Sequence, residues 1–360
     1  MNSHIEIEGF KCFEKVNIPL KMLNVLAGGN SVGKSSVIQA LLLLKNSLDD
    51  PRTPLNGNYL LNLGNAAQIL SKKLVNNDIY IKYKYNFSKL AKRWTVNLSN
   101  PDVYLPQPRE TMLQKGEFPL NNHNFHYLHA ERLGPRPRYE IGIEERNVGW
   151  RGENTIAILS SETVGTPYYN IHSSLMFPES ENPKLRHQVD LWMNHIVPGV
   201  DVSPARVREI NQSYVLYNDN SPYNVGFGIS YVLPIITAGL IARSGEMFIV
   251  ENPEAHLHPS GQSRIGHFLA KVANSGVQVI VETHSEHVIN GIRLASLQQR
   301  ISHDNVVIHF FSKKEDEDQP DIKTIFLNEN ADLDEWPVGF FDQQQQDIAQ
   351  IFKLRKAQRK

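Results

Sequence analysis

Gly28, Gly29, Asn30, Ser31, Val32, Gly33, Lys34, Ser35 and Ser36 follow one another in the spacing G-x-x-x-x-G-K-S. Glycines at these positions let successive backbone N–H groups turn inward around an anion, and a helix starting behind them adds its partial positive end. Such a loop works only between a buried strand and a helix, and the flanking residues predict both. Residues 23–27 form a short apolar run, and residues 34–48 carry Val37, Ile38, Leu41, Leu42 and Leu44 on one broad apolar face. Lys34 is then placed to reach β- and γ-phosphates, and the Ser35 hydroxyl to take a place on Mg²⁺. Gly28, Asn30, Ser31, Gly33 and Ser36 complete the cradle. The pattern implies a nucleoside triphosphate, ATP with Mg²⁺.

With 360 residues the chain is long enough for a core domain and an inserted lobe. A formal net charge of −1 gives no overall basic field to attract nucleic acid. The exception is the tail, where Lys353, Arg355, Lys356, Arg359 and Lys360 form either a solvated helix end or a nucleic-acid contact. The single cysteine, Cys12, excludes an internal disulfide and suits a reducing cytoplasm. Residues 1–6 lack the basic and apolar regions of a signal peptide. The longest apolar run, residues 229–242, is broken by Pro234 and Gly239, so no membrane span is expected. These readings point to a soluble cytoplasmic protein.

Along the chain the character changes twice. Residues 5–20 alternate as two strands of a small antiparallel edge. Residues 79–85 and 94–98 read as strands of an antiparallel sheet, and residues 126–128 as a third apolar run. Residues 137–182 read as loops and short helices, residues 185–197 as an amphipathic helix and residues 200–219 as two strands. From residue 225 helices alternate with strands: helices over 230–243, 260–274 and 286–299, strands over 247–250 and 277–281. That alternation means a parallel sheet covered on both faces. Residues 306–311 and 322–327 look like a closing hairpin, and residues 343–356 a terminal helix. The expected class is α/β, a nucleotide-binding core split between 1–50 and 220–330. Residues 51–219 form an inserted strand- and loop-rich lobe, and residues 331–360 a C-terminal motif and helix.

A phosphate loop needs a second strand ending in a carboxylate that orders Mg²⁺. Met247, Phe248, Ile249 and Val250 lead to Glu251, the expected metal-side acid, with Asn252, Pro253 and Glu254 following. His256 and His258 beside these carboxylates raise a transition-metal alternative, but no further Cys or His stands at a suitable spacing. The next strand ends in Glu282, Thr283, His284 and Ser285. Neighbouring parallel strands share one crevice at their C-terminal ends, which puts His284 near the γ-phosphate, able to orient water or sense the phosphate.

These pieces together resemble ATPases of the ABC class, in the branch of SMC-type and overcoming-lysogenization-defect (OLD) proteins often called AAA family ATPases. The matching residues are Phe10 to Phe13 with the Asn30-bearing loop, Glu251 to Pro259, and Thr283 to Ser285, with a weaker match over Glu131 to Arg136. Val225 to Ser230 falls where the family has its signature motif. Trp336 to Asp342 resembles an uncharacterised C-terminal domain found in a subgroup. The resemblance implies an ABC-type core and an ATP-sandwiched dimer, each phosphate loop completed by the partner's signature segment. Gly226, Gly228 and Ser230 are the candidates for that contact, with a glycine-bearing packing turn as the alternative. Two departures matter. The family usually has Asp where Glu251 stands and a catalytic Glu where Asn252 stands. Asn cannot act as a general base, so Glu254 is the candidate replacement, or hydrolysis is slow.

Members of this branch act in DNA repair or in bacterial defence against phage and plasmids. About fifty residues after Val306 are too few for the Toprim nuclease that OLD-type members carry. Asp316 and Asp318 make an Asp-x-Asp in what reads as a hairpin tip. The first reading is therefore a dimeric ATPase acting as sensor or switch for a separate nuclease or toxin. The alternatives are a repair or chromosome-maintenance ATPase that clamps DNA directly, and an ATP-binding scaffold with negligible hydrolysis. Higher oligomers remain open, and nucleic acid remains a candidate partner.

Overall fold

The structure is a computed structural model and describes residues 3–50, 52–73, 76–114, 118–120, 125–141, 146–161, 170–313, 319–337 and 339–357. The Asp-x-Asp of Asp316 and Asp318 lies outside these residues, as do Arg359 and Lys360 of the basic tail. Three strands open the chain: β1 (Ser3–Phe10), β2 (Phe13–Leu20) and β3 (Leu23–Gly28). Helix α1 (Lys34–Asp49) starts straight after the glycine loop. Then come β4 (Asp78–Tyr85), β5 (Ser88–Thr95), β6 (Glu110–Gln114) and β7 (Phe125–Leu128). The middle adds α2 (Leu185–Ile196), β8 (Val202–Val207) and β9 (Gln212–Tyr217). The C-terminal part alternates α3 (Phe227–Ile241), β10 (Met247–Glu251), α4 (Pro259–Asn274), β11 (Gln278–Glu282) and α5 (Glu286–Leu297). The hairpin β12 (Val306–Ser312) and β13 (Asp321–Phe326) precedes α6 (Gln343–Ala357).

The central sheet runs β13-β12-β3-β11-β10-β7. Its pairings from β12 to β7 are parallel, and β13 closes one edge antiparallel. Period-two alternation divides its side chains between two cores. Val25, Phe248, Val250, Val279 and Val281 face the helices α2 to α5. Leu26, Met247, Ile249 and Ile280 face α1 and a second sheet. That second sheet is antiparallel, in order β2-β1-β4-β5-β6, and turns Ile5, Ile7, Ile79, Ile81 and Tyr83 onto α1. The molecule is thus layered, with the parallel sheet in the middle.

Residues 51–219 contribute to both sheets. Strands β4 and β5 extend the sheet begun by β1, and β7 forms the edge of the parallel sheet beside β10. Strand β5 begins at Ser88, earlier than the apolar pattern of 94–98 indicated. Lys89 and Arg93 share its half-exposed face, whereas Lys92 is buried on the same face as Leu90 and Trp94; Arg93 lies over the Tyr80 ring at 4.4 Å. The apolar run 229–242 is core rather than membrane. Helix α3 is strongly apolar and, apart from half-buried Tyr231, buried from Gly228 onward, and Gly239 lets Phe268 approach. No helix among the described residues is long and apolar enough to cross a membrane. Phe340 of the C-terminal motif is fully buried, its ring edge-on to Phe310 of β12 at 5.2 Å and to Trp336 at 5.1 Å.

Candidate functional site

The loop between β3 and α1 curls because two of its glycines hold backbone angles that L residues avoid. Gly28 has φ +134°, and a Cβ there would lie 2.1 Å from the Phe311 carbonyl oxygen of β12. Gly33 has φ +100°, with Cys12 Sγ 2.8 Å from where its Cβ would be. Lys34 is only 3% exposed; its ammonium donates to the Gly29 carbonyl and, at 3.2 Å, to that of Gly28. Burial lowers its pKa, while Glu282 and Glu254 pull the other way. Asn30, Ser31, Gly33, Lys34, Ser35 and Ser36 line a cavity of about 420 Å³ together with Lys11, Cys12, Gln39, Glu282 and His284. Lys11 donates to Gln39 Oε1 at 2.6 Å across its floor. Sequence reasoning had no signal for that pair.

Strand β11 lies between β3 and β10, so its end is one strand spacing closer to the loop than the end of β10. This order decides which acid meets Ser35. The Ser35 hydroxyl donates to Glu282 Oε1 at 3.0 Å. Glu282 is 6% exposed, and its Oε2 is buried without a hydrogen-bond partner. Burial, and then the charge of Glu251, push its pKa up to about 7. Glu251 is held elsewhere: Tyr127 OH donates to its Oε1 at 2.9 Å and the Ala130 N–H to its Oε2 at 3.2 Å. A hydroxyl beside a carboxylate with a spare buried oxygen fits a hard cation, so Ser35 and Glu282 suit the Mg²⁺ that accompanies a triphosphate.

Asn252 sits at φ +44°, in the left-handed region that Asn tolerates better than Glu. Its N–H donates to the Glu282 carbonyl at 2.8 Å, and its own carbonyl accepts from Arg132 at 2.6 Å. Arg132 also donates to the carbonyls of Glu251 (2.6 Å) and His129 (3.1 Å), and lies over the Tyr231 ring of α3. Burial pushes its pKa down to about 10. Beyond the turn, Glu254 accepts from the Thr283 hydroxyl at 2.7 Å and from the His284 N–H at 2.8 Å. The structure thereby brings Lys34, Ser35, Glu254, Glu282 and His284 to one crevice. Partial burial, and then the charge of Lys34, lower the His284 pKa below its ordinary value.

No residue of the signature-like segment lines this cavity. Gly228 and Ser230 face inward: a Cβ at Gly228 would lie 2.5 Å from the His256 carbonyl oxygen, and Ser230 is 4% exposed. Close packing of α3 on the 252–256 turn requires that glycine; the exposed residues of the segment are Gly226 and Phe227, with Tyr223 and Asn224 exposed just before it. His256 packs its ring against Tyr231 at 4.8 Å, and His258 caps α4 by accepting from the Ser260 N–H. No group of three or more His, Cys, Asp or Glu among the described residues is arranged to hold a metal ion.

A family described as "AAA domain, putative AbiEii toxin, Type IV TA system" matches residues 80–290, more than half the chain. The chain belongs to this AAA-domain family. Residues 1–51 and 301–351 of this AAA-domain protein also match two families described only as proteins of unknown function, DUF2813 and DUF3696. No curated protein matches it. Among solved structures it is similar to an SMC head bound to the C-winged helix domain of ScpA. The two are 12% identical over 90% of this chain and 97% of the other, with a TM-score of 0.50. An SMC head with an extended coiled coil bound to the C-terminal domain of ScpA, from Pyrococcus furiosus, aligns over 99% of each chain at 10% identity and a TM-score of 0.48. The SMC head domain from Thermotoga maritima aligns over 90% and 98% at 11% identity and 0.43. The mixed α/β fold of this AAA-domain protein, with its helix-flanked parallel sheet, is the one expected from the sequence.

Proposed function

We propose that this AAA-domain protein binds and hydrolyses ATP, closes with a second copy when it does so, and thereby switches a separate effector, a nuclease or toxin, in bacterial defence against phage. The observation that carries the reading is the crevice at the C-terminal ends of β3, β11 and β10. There the loop lysine and Ser35 meet Glu282, and Glu254 is fixed against His284. Mg²⁺ supplies charge neutralisation between the phosphates when bound. Lys34 would offset the β/γ charge, the loop N–H groups would hold the phosphate oxygens, and His284, which lines the same cavity, is the candidate to face the γ-phosphate. Glu254 is the carboxylate for the attacking water, because Asn252 is committed to a turn and cannot take a proton.

Exposure supports closure with a second copy. The crevice is open on one side, and the start of α3 presents Tyr223 (63% exposed) and Phe227 (57%) around Gly226. A helix N-terminus flanked by exposed aromatic rings can cover a phosphate on another copy, so Gly226 and Phe227 replace Gly228 and Ser230 as the contact. The defence role is supported by the toxin–antitoxin wording of the family description. The test is mass by light scattering for Glu254→Gln, with Mg²⁺ and with or without ATP, paired with hydrogen exchange over residues 223–230. Closure predicts doubled mass or new protection with ATP. Identical mass and protection in both conditions removes the dimer. Co-purification from the native operon of a nuclease or toxin released or activated by ATP tests the switch.

A further inference from the structure

We infer that helix α6 of one copy docks on the surface around residues 326–336 of a second copy, a two-fold association that needs no nucleotide. The inference goes beyond the ATP-driven closure above and uses none of its contact residues. It starts from a helix without cover. Residues 346–356 of α6 are all exposed. A helix of 15 residues holds only marginally in water unless one of its faces is packed. Ile348, Ile351 and Phe352 share one stripe at i, i+3 and i+4, and they are 45–64% exposed. Arg355 continues that stripe one turn on, with Lys356 beside it.

The same chain carries a surface of matching character. Leu294 and Leu297 stand on α5, and Phe326 and Trp336 border the segment 328–335; these side chains are 39–53% exposed. Arg293 ties α5 to that segment through the Ala331 carbonyl at 2.7 Å and Asp332 at 3.7 Å. Phe326 joins it too, donating its N–H to Asp334 Oδ1 at 2.9 Å and accepting from the Asp334 N–H at 3.0 Å. Residues 321–336 hold five carboxylates, those of Asp321, Glu329, Asp332, Asp334 and Glu335, against the one cation of Lys323. Apolar groups gathered in one place mark an interaction site, as scattered ones do not. An apolar stripe that ends in cations complements an apolar patch rimmed by carboxylates. Within one copy both surfaces stay exposed, because the start of α6 is fixed elsewhere. Phe340 is buried against Phe310, and Asp342 accepts from the Gly339 N–H at 3.1 Å and from the Gln346 N–H at 3.0 Å. The pairing is therefore met between copies, and a two-fold axis makes it twice.

The test is the mass of the full chain by sedimentation, over a range of concentrations and without nucleotide. The wild type is expected to form dimers. Ile351→Glu with Phe352→Glu on the helix, and Leu294→Glu with Leu297→Glu on the patch, alter exposed side chains. Each pair should weaken the dimer about tenfold or more. Mixing the two variants separates a second copy from any other occupant. The intact patch of one receives the intact helix of the other, so the mixture should form dimers at concentrations where neither variant does alone. Should the patch variant not fold, as judged by circular dichroism, Glu329→Lys with Asp332→Lys takes its place. A monomeric wild type, a dimer indifferent to both pairs, or a mixture that stays monomeric overturns the inference. So does a monomer that binds a labelled DNA duplex and loses it with Arg355→Glu and Lys356→Glu, because the occupant is then nucleic acid. Lys34→Ala should dimerise like the wild type, so failure of the ATP-binding reading leaves this result untouched. A dimer that forms only with ATP belongs to closure and overturns the inference.

Discussion

Removing the Lys34 ammonium should destroy nucleotide binding and leave the fold as stable as before, which is unusual for a residue only 3% exposed. In the structure the ammonium is satisfied by two loop carbonyls, those of Gly28 and Gly29. Two hydrogen bonds from a charged donor contribute roughly 1.5–3 kcal/mol each. Against this stands the cost of holding an ammonium out of water, several kcal/mol in real proteins, and burial does depress its pKa. The two effects nearly cancel. Lys34→Met, which keeps the apolar stem, is therefore expected to change unfolding free energy by less than about 1 kcal/mol. With ATP bound the balance changes, because phosphate oxygens replace neutral carbonyls as acceptors. Losing two such contacts should cost about 3 kcal/mol or more, a little over a hundredfold in affinity. Urea denaturation without nucleotide and calorimetry with Mg²⁺ and ATP measure the two quantities on one preparation. A variant that binds ATP within threefold of wild type refutes the phosphate role. One that loses more than about 3 kcal/mol of stability refutes the cancellation.

Glu254→Gln should cut steady-state hydrolysis at least about tenfold while ATP affinity stays within threefold, because it alters the transition state rather than ground-state binding. Wild-type turnover in this variant would move the base to another carboxylate. His309 is fully buried in β12, and burial pushes its pKa down to about 4. The fold thus binds fewer protons there than the unfolded chain, and this contribution is intact above pH 6.5 and lost as pH falls from 6.5 to 4, by up to about 3 kcal/mol. His309→Gln should flatten the stability profile in that window, read from urea midpoints at each pH. Gly291→Ala places a Cβ 1.9 Å from the Ser263 carbonyl oxygen, where α4 and α5 cross through Gly266 and Gly291. It should destabilise by about 2–3 kcal/mol or more, and a urea midpoint equal to wild type would show that the helices separate freely.

The loop, its strand and helix, and the alternation after residue 225 were legible because glycine spacing and apolar runs report local geometry. Strand order was not. Nothing in residues 247–251 and 278–282 says which strand neighbours the loop, so Glu251 was the expected partner of Ser35 while the contact is made by Glu282. The inward turn of Gly228 was equally hidden, since a glycine needed for close packing and one left open for a ligand read alike. Strand β5 was read too late because Lys89, Lys92 and Arg93 interrupt its apolar pattern, and the short run 126–128 does not announce which sheet it joins. Arg132 lay inside the weakly matching 131–136 stretch, but its three carbonyl partners come from 119 or more residues away in two of three cases.

The order of strands also sets the order in which this molecule can be made. Strand β3 carries the loop near the start of the chain, yet its two neighbours are β11 and β12, complete only at residues 282 and 312. At roughly 5–20 residues per second on a ribosome, β3 waits about 15–60 s for both. Until then the loop has no floor: Phe311 is the backbone that Gly28 rests on, and Glu282 the acid that Ser35 meets. Such distant pairings also make folding slow, because the ends of a long chain must be brought together before the contacts repay it. A polypeptide stopped short of residue 312 would therefore carry the full phosphate-loop sequence without all of the backbone on which that loop is packed.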